Sequence, residues 1–279
     1  MIYKLNDLDD KIKKYIIKKY NQDHSIKDIE KELNISRNTI ISLFSKEDVV
    51  YLKSDCSSFE LNKNKILIIS DTHIGSKKDN LKYIDLAYET GLKNNVGACL
   101  HLGDIIQGEY DKTNKSIDYQ LDILENKYPN ISEFNTYLLL GNHDYNVFEA
   151  IKEYKEILES RKDIITLGYK KVYFNWCNYL YAMEHKVKQL SDEMLLEDVA
   201  LSFIGHGHEL KLKSQSKLKV PTLSDDIINQ TNGAYPAFLI AQLLDNHLSV
   251  DVYNFKKDEA KIKRKKYFEN LLIESYKVK

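Results

Sequence analysis

The spacing of apolar residues changes along the chain and divides it into regions. From Leu8 to Ser45, apolar residues recur three and four positions apart, which predicts short helices that each bury one face. In the first predicted helix, the residues that recur at helix spacing are Ile12, Ile16, Ile17 and Tyr20. A second helix should follow Ser25 and bury Ile26, Ile29 and Leu33. We therefore predict a small all-α domain at residues 1–46.

A tight turn is predicted between the second helix and a third one. Asn34 tolerates the left-handed backbone that such a turn needs. Ser36 is a favourable N-cap for a third helix that carries Ile40, Leu43 and Phe44. The pattern over residues 47–62 is mixed and predicts a linker with some strand character.

After the linker, short apolar runs alternate with helical stretches. The apolar runs are Lys65–Ser70, Val96–Leu100 and Tyr137–Leu140. The helices are expected near Asn80–Lys93, Ser116–Lys127 and Asn146–Arg161. Buried strands that alternate with helices predict an α/β domain with a mainly parallel central sheet.

Short strands dominate from Ile164 onward and predict a second sheet packed on the first. They are expected at Lys171–Trp176, Tyr179–Glu184, Leu201–Ile204, Phe238–Leu244 and Leu248–Phe255. We place the whole α/β domain at residues 63–255. The remaining tail, residues 256–279, is basic and is predicted to be helical.

Composition and charge exclude several classes of protein. The chain is 43% apolar and 30% charged with a net charge of −1, so any affinity for nucleic acid must come from local patches. No apolar run approaches the about 20 residues that span a bilayer, so no membrane partner is expected. The three cysteines are widely spaced, which favours a reducing compartment and predicts a cytoplasmic protein.

Five of the apolar runs end in polar residues of the same few types. These residues are Asp71 and His73, Asp104, Asn142 to Asp144, His185, and His206 and His208. Since ligands bind beyond the carboxyl ends of strands in open α/β sheets, the five loops should converge. His24, His101 and His247 fall outside this pattern and are interpreted as structural or surface histidines.

The residue types in these loops are ligands for divalent metals. Imidazole, carboxylate and amide groups suit such ions, and the absence of cysteine argues against a cysteine-rich structural zinc site. The seven candidate ligands are Asp71, His73, Asp104, Asn142, His185, His206 and His208. One tetrahedral metal cannot use seven ligands, whereas two ions about 4 Å apart, bridged by a carboxylate, can clamp a phosphoester and activate water.

The motifs Asp-x-His, Gly-Asp, Gly-Asn-His-Asp, a lone His and Gly-His-x-His occur here in the order that resembles the calcineurin-like metallophosphoesterases. The resemblance covers roughly Lys65–Phe255 and implies a four-layer α/β/β/α sandwich. It implies that one metal is held by Asp71, His73, Asp104 and His208, and the second by Asp104, Asn142, His185 and His206. Family members commonly use manganese, with iron, zinc or magnesium as variants.

The resemblance also implies catalytic roles. His143 corresponds to the family's proton donor to the leaving oxygen, and Asp144 would orient its ring. Such an acid is reasonable because an alkoxide leaving group needs a proton. The nucleophile would be a metal-bound hydroxide.

Two differences from the protein phosphatases of this family narrow the substrate class. Those enzymes have an arginine where this chain has Gly108, and a glutamate where it has Asp144. Without the arginine, a monoester dianion loses its bidentate partner, so phosphoprotein phosphatase activity is disfavoured. The motifs look more like those of double-strand-break repair nucleases and bacterial phosphodiesterases, within the catalytic core only.

The segment Ser25–Ile40 resembles a bacterial helix-turn-helix, with Ser36–Phe44 as the recognition helix. Arg37, Asn38 and Thr39 would then reach base edges or phosphates of DNA. Backbone contacts would come from Lys11, Lys13, Lys14, Lys18 and Lys19. The alternative is a helical bundle used for packing or dimerisation, and a homodimer is compatible with both interpretations.

Three functions remain open at this point. The first is a two-metal phosphodiesterase or nuclease that acts on DNA. The second is a phosphodiesterase for small nucleotides, in which the N-terminal helices serve packing or dimerisation. The third is a DNA-binding regulator with an inactive hydrolase domain, which the complete ligand set argues against.

Overall fold

The structure is a computed structural model, and the chain divides into two compact units, residues 1–55 and residues 56–279. The residues that the structure describes are 8–21, 26–36, 39–40, 43, 59–109, 114–169, 171–185, 199–214, 217–225, 235–244, 247–256 and 259–272.

The first unit is helical in its described part. Helix α1 is Asp10–Asn21, helix α2 is Ile26–Leu33, and Thr39, Ile40 and Leu43 are also helical. The apolar side chains buried in this unit are Leu8, Ile16, Ile29, Ile35, Ile40 and Leu43. Helices therefore form where the apolar spacing predicts them.

The turn after α2 has the predicted local form. Asn34 has a φ of 52°, in the left-handed region. Ser36 Oγ accepts a hydrogen bond from Thr39 N at 3.2 Å, as an N-cap does. Lys19 Nζ on α1 lies 3.4 Å from Glu32 Oε2 on α2. The interpretation of these helices as a helix-turn-helix stays a prediction.

The second unit contains strands and helices. In chain order its described strands are β1 (Phe59–Leu61), β2 (Lys65–Ile69), β3 (Ala98–His101), β4 (Asn135–Leu140), β5 (Ile164–Tyr169), β6 (Lys171–Trp176), β7 (Tyr179–Glu184), β8 (Val199–Ile204), β9 (Lys211–Ser214), β10 (Lys217–Lys219), β11 (Ala237–Leu244), β12 (His247–Lys256) and β13 (Glu259–Leu272). Its described helices are α3 (Leu81–Lys93), α4 (Ile117–Asn126), α5 (Asn142–Ala150) and α6 (Lys152–Ser160).

The strands form two sheets, as the sequence predicts, but β11 and β12, which the sequence places in the second sheet, extend the sheet of β2, β3 and β4. One has the order β1-β6-β7-β8-β10-β9, and the other has the order β13-β12-β11-β2-β3-β4-β5. In the seven-stranded sheet β2 to β5 run parallel, and β11, β12 and β13 extend this sheet beyond β2 with antiparallel pairing. In the six-stranded sheet β7 and β8 are parallel neighbours.

Strand β2 shows how the core is built, because it is buried on both faces. Ile66 and Ile68 belong to a cluster that includes Phe174 and Trp176 of the six-stranded sheet, so this cluster lies between the sheets. Leu67 and Ile69, on the opposite face, belong to a cluster that also holds these helical residues: Ile84, Tyr88, Leu121 and Tyr154. A strand that is covered on both sides reads as a continuous apolar run, which is why the sequence identified it.

The C-terminal tail corrects one prediction. Residues 259–272 form strand β13 instead of a helix, and β13 pairs with β12 along the sheet edge. Lysine-rich sequence favours a helix locally, but the open edge of β12 offers backbone hydrogen bonds along the whole segment. Tertiary pairing therefore overrides the local preference.

Three other boundaries differ from the predictions. The helix expected near Asn146–Arg161 is two helices, because Ile151 between α5 and α6 has an extended backbone with φ −121° and ψ 105°. Strand β1 lies within the predicted linker, where it pairs with β6. Strand β5 was not predicted as a separate strand and pairs with β4.

The outermost layer of the predicted sandwich stays a prediction. Tyr173, Ala182 and Val199 are buried on the face of the six-stranded sheet that points away from the other sheet. The chain between β7 and β8, residues 186–198, lies outside the described residues. Within the described part, no helix has the length and apolar character needed to cross a membrane.

Candidate metal centre

The candidate ligands lie where five strands end. The residues that follow β2, β3, β4, β7 and β8 are, in that order, Asp71 with His73, Asp104, Asn142, His185, and His206 with His208. Strands β2, β3 and β4 are parallel neighbours, and so are β7 and β8. Their carboxyl ends therefore bring the loops to a shared edge of the sandwich.

Two buried carboxylates form the middle of the cluster. Asp104 Oδ2 lies 3.0 Å from His185 Nε2 and 3.9 Å from His73 Nε2. Asp71 Oδ1 lies 3.2 Å from His208 Nε2 and 3.8 Å from His73 Nε2. Asp104 thus belongs to two of the groups of donor atoms in this cluster, as a bridging ligand would.

The donor atoms form overlapping groups whose members lie within 4.8 Å of one another. One group is Asp71, Asp104, His185 and His206, the second is Asp71, His73 and His208, and the third is His73, Asp104 and His143. Asn142 begins α5 and is buried as well. The fold therefore brings together side chains that are far apart in the sequence.

The backbone at these residues is strained. Asp71, His73, Asp104, His206 and His208 all have φ between 45° and 64°. This left-handed conformation costs residues other than glycine roughly 1–2 kcal/mol each. Five of the nine described non-glycine residues with positive φ are thus candidate ligands, which marks this edge as a functional site.

Glycines allow the loops to pack closely enough for the cluster to form. A Cβ on Gly141 would lie 2.1 Å from Asp104 Oδ1 and 2.4 Å from its backbone nitrogen. A Cβ on Gly103, where φ is 97°, would lie 2.7 Å from His185 Nδ1. The glycines before Asp104 and Asn142 therefore allow close approach between loops.

Replacing Gly141 with alanine is expected to displace the Asp104 loop, because backbone atoms cannot move aside as a side chain can. We expect a loss of about 1–3 kcal/mol in the free energy of unfolding, together with weaker metal binding. Gly91→Ala on α3 is the control, since its nearest atom would be a valine methyl at 3.2 Å. Equal stability of the two variants in thermal unfolding would contradict this packing argument.

Hydrogen bonds fix the orientation of the ligands. His206 N donates to Asp71 Oδ2 at 2.9 Å, and Ser70 Oγ donates to the same oxygen. His185 Nδ1 lies 2.6 Å from the Leu102 carbonyl oxygen, so this nitrogen carries the proton and Nε2 faces the cluster. Contacts of this kind hold the imidazoles of metal sites in one tautomer and one orientation.

The donor set fits divalent cations. Asp104 Oδ2 and His185 Nε2 are fully buried and 3.0 Å apart, yet neither makes a hydrogen bond of normal geometry. Buried polar atoms without a partner are costly. Since metal–ligand distances in such sites are about 2.1 Å, one ion can contact both atoms. Asp71, Asp104 and the histidines are therefore suited to hold metal.

Burial and neighbouring charges set the protonation states of the cluster, and most of its side chains are in the deprotonated form that binds metal. Burial lowers the pKa of His73 to about 4, so this ring is neutral at pH 7. Burial also opposes the charge on His185, but the carboxylates of Asp104 and Asp71 outweigh it and raise the pKa of His185 to about 9. Burial opposes the charge on Asp104 as well, yet His185 and His73 keep its pKa well below the usual range.

Metal binding is expected to release about one proton at pH 7.5, because a metal ion must displace the Nε2 proton of His185. Since the pKa of His185 is about 9 in the metal-free protein, the apparent affinity should rise with pH up to that value. Titration calorimetry in two buffers of different ionisation enthalpy measures the proton count. The same binding enthalpy in both buffers would contradict the expectation.

The family model for the calcineurin-like phosphoesterases matches residues 64–224, more than half of the chain. The chain belongs to this family. This membership, together with the clustered aspartates and histidines, makes the protein a metal-dependent phosphoester hydrolase. No curated protein sequence matches the chain.

Solved structures with a similar fold share little sequence with this phosphoesterase. Vps29 from Chaetomium thermophilum is 15% identical over 74% of this chain and 96% of its own, with a TM-score of 0.45. Vps29 from Cryptosporidium parvum is 17% identical over 73% and 97%, with a TM-score of 0.44. The phosphoesterase Yfce from E. coli is 12% identical over 72% and 97%, also with a TM-score of 0.44.

The contacts of the two predicted catalytic residues correct one expectation. Asp144 was expected to orient the His143 ring, but its carboxylate accepts hydrogen bonds from Gly141 N at 2.9 Å and Ile106 N at 3.1 Å. The His143 ring instead places Nδ1 2.6 Å from the Gln107 carbonyl oxygen. Asp144 therefore ties two loops of this phosphoesterase together, and a backbone carbonyl positions the ring.

His101 is a structural histidine, as the sequence predicts, and it connects two ligand loops of this phosphoesterase. Thr72 Oγ1 donates to the Ile105 carbonyl oxygen at 2.9 Å, so it accepts from His101 Nε2 at 3.2 Å. Gly103 N donates to His101 Nδ1 at 3.3 Å. The sequence signal was its position two residues before Gly103, inside a buried strand.

The place of the missing phosphatase arginine is occupied by a buried turn. Gly108 has a φ of 66°, and its N–H donates to Gln120 Oε1 at 2.8 Å. Arg161 is used elsewhere, since it bonds Asp163 and the carbonyl of Leu124. Among the side chains that the structure describes, no arginine forms a hydrogen bond with the candidate ligands of this phosphoesterase.

The three predicted DNA-contacting residues lie in the first unit. Arg37 and Asn38 fall outside the described residues. Thr39 is only 8% exposed and its hydroxyl lies 2.8 Å from Ser36 Oγ, which argues against the predicted contact of Thr39 with DNA. A residue three positions after an N-cap points back to that cap, which removes Thr39 from the outer face.

Proposed function

We propose that the protein hydrolyses phosphodiesters with two divalent ions, and that DNA is its substrate. The observation that supports the chemistry is the buried cluster around Asp71 and Asp104, which gathers histidines from several separate chain segments. A cluster with this many donors exceeds the need of one tetrahedral ion.

The residues divide naturally between two ions. Asp71, His73 and His208 would hold one, together with Asp104 as the shared ligand. Asn142, His185 and His206 would complete the second. Manganese is our first choice, with iron, zinc or magnesium as alternatives. When bound, such ions polarise phosphoryl oxygens and lower the pKa of water.

His143 would protonate the leaving oxygen. A carbonyl oxygen only accepts hydrogen bonds, so the contact with Gln107 keeps a proton on Nδ1. Nε2 is then the nitrogen that exchanges a proton with the substrate. The ring centroid lies 4.9 Å from that of His73, which places the acid beside the ligands.

The substrate is proposed to be a diester because nothing in the described site matches a monoester dianion. Gly108 stands where the phosphatases of the family carry their arginine. A planar bidentate donor is the group that best recognises a terminal phosphate. A diester carries one negative charge and needs less compensation.

The first unit supports DNA as the substrate. Helix α2, the turn at Asn34 and the helix capped by Ser36 follow one another as in a helix-turn-helix, and Arg37 and Asn38 remain the proposed base contacts. Lys11, Lys14 and Lys18 are exposed on α1 and would contact phosphates.

Replacing these three lysines with glutamine is expected to lower DNA cleavage relative to cleavage of bis-p-nitrophenyl phosphate. The logarithmic salt dependence of DNA binding should become shallower by about three units, one for each lost contact. The charge-matched control replaces Lys82, Lys93 and Lys127, which are exposed on or next to helices of the second unit. An unchanged salt slope would argue for the packing or dimerisation role.

A second candidate is hydrolysis of small nucleotide diesters, and one observation favours it. The cavity beside His143 is small, and its described lining contains no lysine or arginine. Manganese-loaded protein tested on DNA, RNA, cyclic and linear nucleotides separates the two candidates. Metal binding without cleavage of any diester would refute both.

A further inference from the structure

A cavity of about 260 Å³ opens beside the proposed acid. It is lined by Glu109, His143, Asn146, Val147, Ala150 and Ile151. His143 also belongs to the group of donor atoms with Asp104 and His73. This one side chain therefore connects the cavity to the metal centre.

One face of α5 forms the wall of the cavity. His143, Asn146, Val147 and Ala150 are spaced three, four and seven residues apart, so they share one side of the helix. Helix α5 begins at the ligand Asn142, so its wall runs away from the metal centre. The proposed acid, His143, would protonate the leaving oxygen of the diester. The organic group bound to that oxygen must therefore lie on the same side of the metal centre as His143.

The size of the cavity suits one compact group. Sites for small organic ligands begin at about 300 Å³, and this cavity lies just below that size. Val147, Ala150 and Ile151 offer apolar surface, and Asn146 makes part of the lining polar. A nucleoside, with a flat ring and hydroxyl groups, matches such a lining.

The charge of the lining excludes a second phosphate. Among the lining residues that the structure describes, Glu109 is the single ionisable side chain besides His143, and Glu109 is exposed. A phosphate attached to the leaving nucleoside would meet this carboxylate, and among the described lining residues only His143, whose proton passes to the leaving oxygen, can carry a positive charge. Two negative charges in one small cavity repel each other, and salt screens this repulsion.

We propose that this cavity is the leaving-group subsite and that it accepts an uncharged alcohol of nucleoside size. The inference rests on the proposed diester hydrolysis and deepens it. In DNA it directs cleavage to a strand end, where the departing nucleoside carries a free hydroxyl. In small molecules it selects dinucleotides whose leaving side has no further phosphate.

The test compares three thymidine dinucleotides with the manganese-loaded protein. The first dinucleotide has free hydroxyls at both ends. The second carries a single phosphate at its 5′ end, and the third carries a single phosphate at its 3′ end. Products separated by chromatography show which thymidine leaves. Phosphate on the leaving side is expected to lower kcat/KM about fivefold or more, and high salt should narrow the difference.

Glu109→Gln tests the proposed cause. This change should bring the two phosphorylated substrates closer together, by raising kcat/KM for the one with phosphate on the leaving side. Glu153→Gln on α6 is the matched control, because Glu153 is exposed and does not line the cavity. The control should keep the preference of the unmodified protein.

The outcomes separate this inference from the proposed function. Hydrolysis of bis-p-nitrophenyl phosphate with equal kcat/KM for all three dinucleotides would overturn the subsite and leave the diesterase intact. A preference that Glu109→Gln does not change would also overturn it. Failure to hydrolyse any diester, with metals bound, would instead refute the proposed function.

Discussion

Replacement of Asp104 by asparagine is expected to abolish the dinuclear centre and to lower diester hydrolysis by about 10³-fold or more. Asp104 Oδ2 lies 3.0 Å from His185 Nε2 and 3.9 Å from His73 Nε2, so the variant removes a charge that is close to proposed ligands of both ions. Metal analysis of the purified variant should show no more than one ion per chain. Rates on bis-p-nitrophenyl phosphate measure the loss.

Asp118→Asn is the control for this experiment, because Asp118 is an exposed carboxylate in the first turn of α4. Its metal content and turnover should match those of the unmodified protein. Thermal unfolding of both variants without metal separates loss of the site from loss of the fold. Two bound ions in Asp104→Asn, with turnover within tenfold of the original, would refute the bridging role.

His143→Ala is expected to lower turnover of alkyl diesters by about 10²–10⁴-fold while both metals stay bound. The metal site should survive because Asp104 Oδ1 is held by the backbone nitrogen of residue 143, at 2.9 Å, which alanine retains. The loss should be much smaller for bis-p-nitrophenyl phosphate, since p-nitrophenolate leaves without needing a proton. Comparing the two substrates therefore isolates proton transfer.

His247→Ala provides a matched histidine control. His247 pairs with Leu244 at the β11–β12 connection, and Gln242 on β11 pairs with Lys65 at the start of β2. The β11–β12 connection therefore lies near the end of the sheet where β2 begins, and the ligands lie at the other end, where β2 finishes. Equal losses on both substrates in His143→Ala, or loss of metal, would show that the ring has a structural role instead.

The sequence alone identified the strands that carry the site, for a physical reason. A parallel strand that is buried on both faces is apolar along its buried length, as β2 is from Ile66 to Ile69, and polar ligands follow where this apolar run ends. The predicted bounds of β6 and β7 agree with the structure, because each lies in a run of strand-forming residues. The ligand types beyond the strands then indicated metal chemistry and the family.

What only the tertiary structure decided involves contacts between distant residues. The bond between His206 N and Asp71 spans 135 positions, and that between His143 and Gln107 spans 36. No local pattern encodes such pairs, so the sequence suggested the wrong partner for the His143 ring. The left-handed backbone of Asp104 and the strand at residues 259–272 were likewise set by packing and by an open sheet edge, which outweigh local preference.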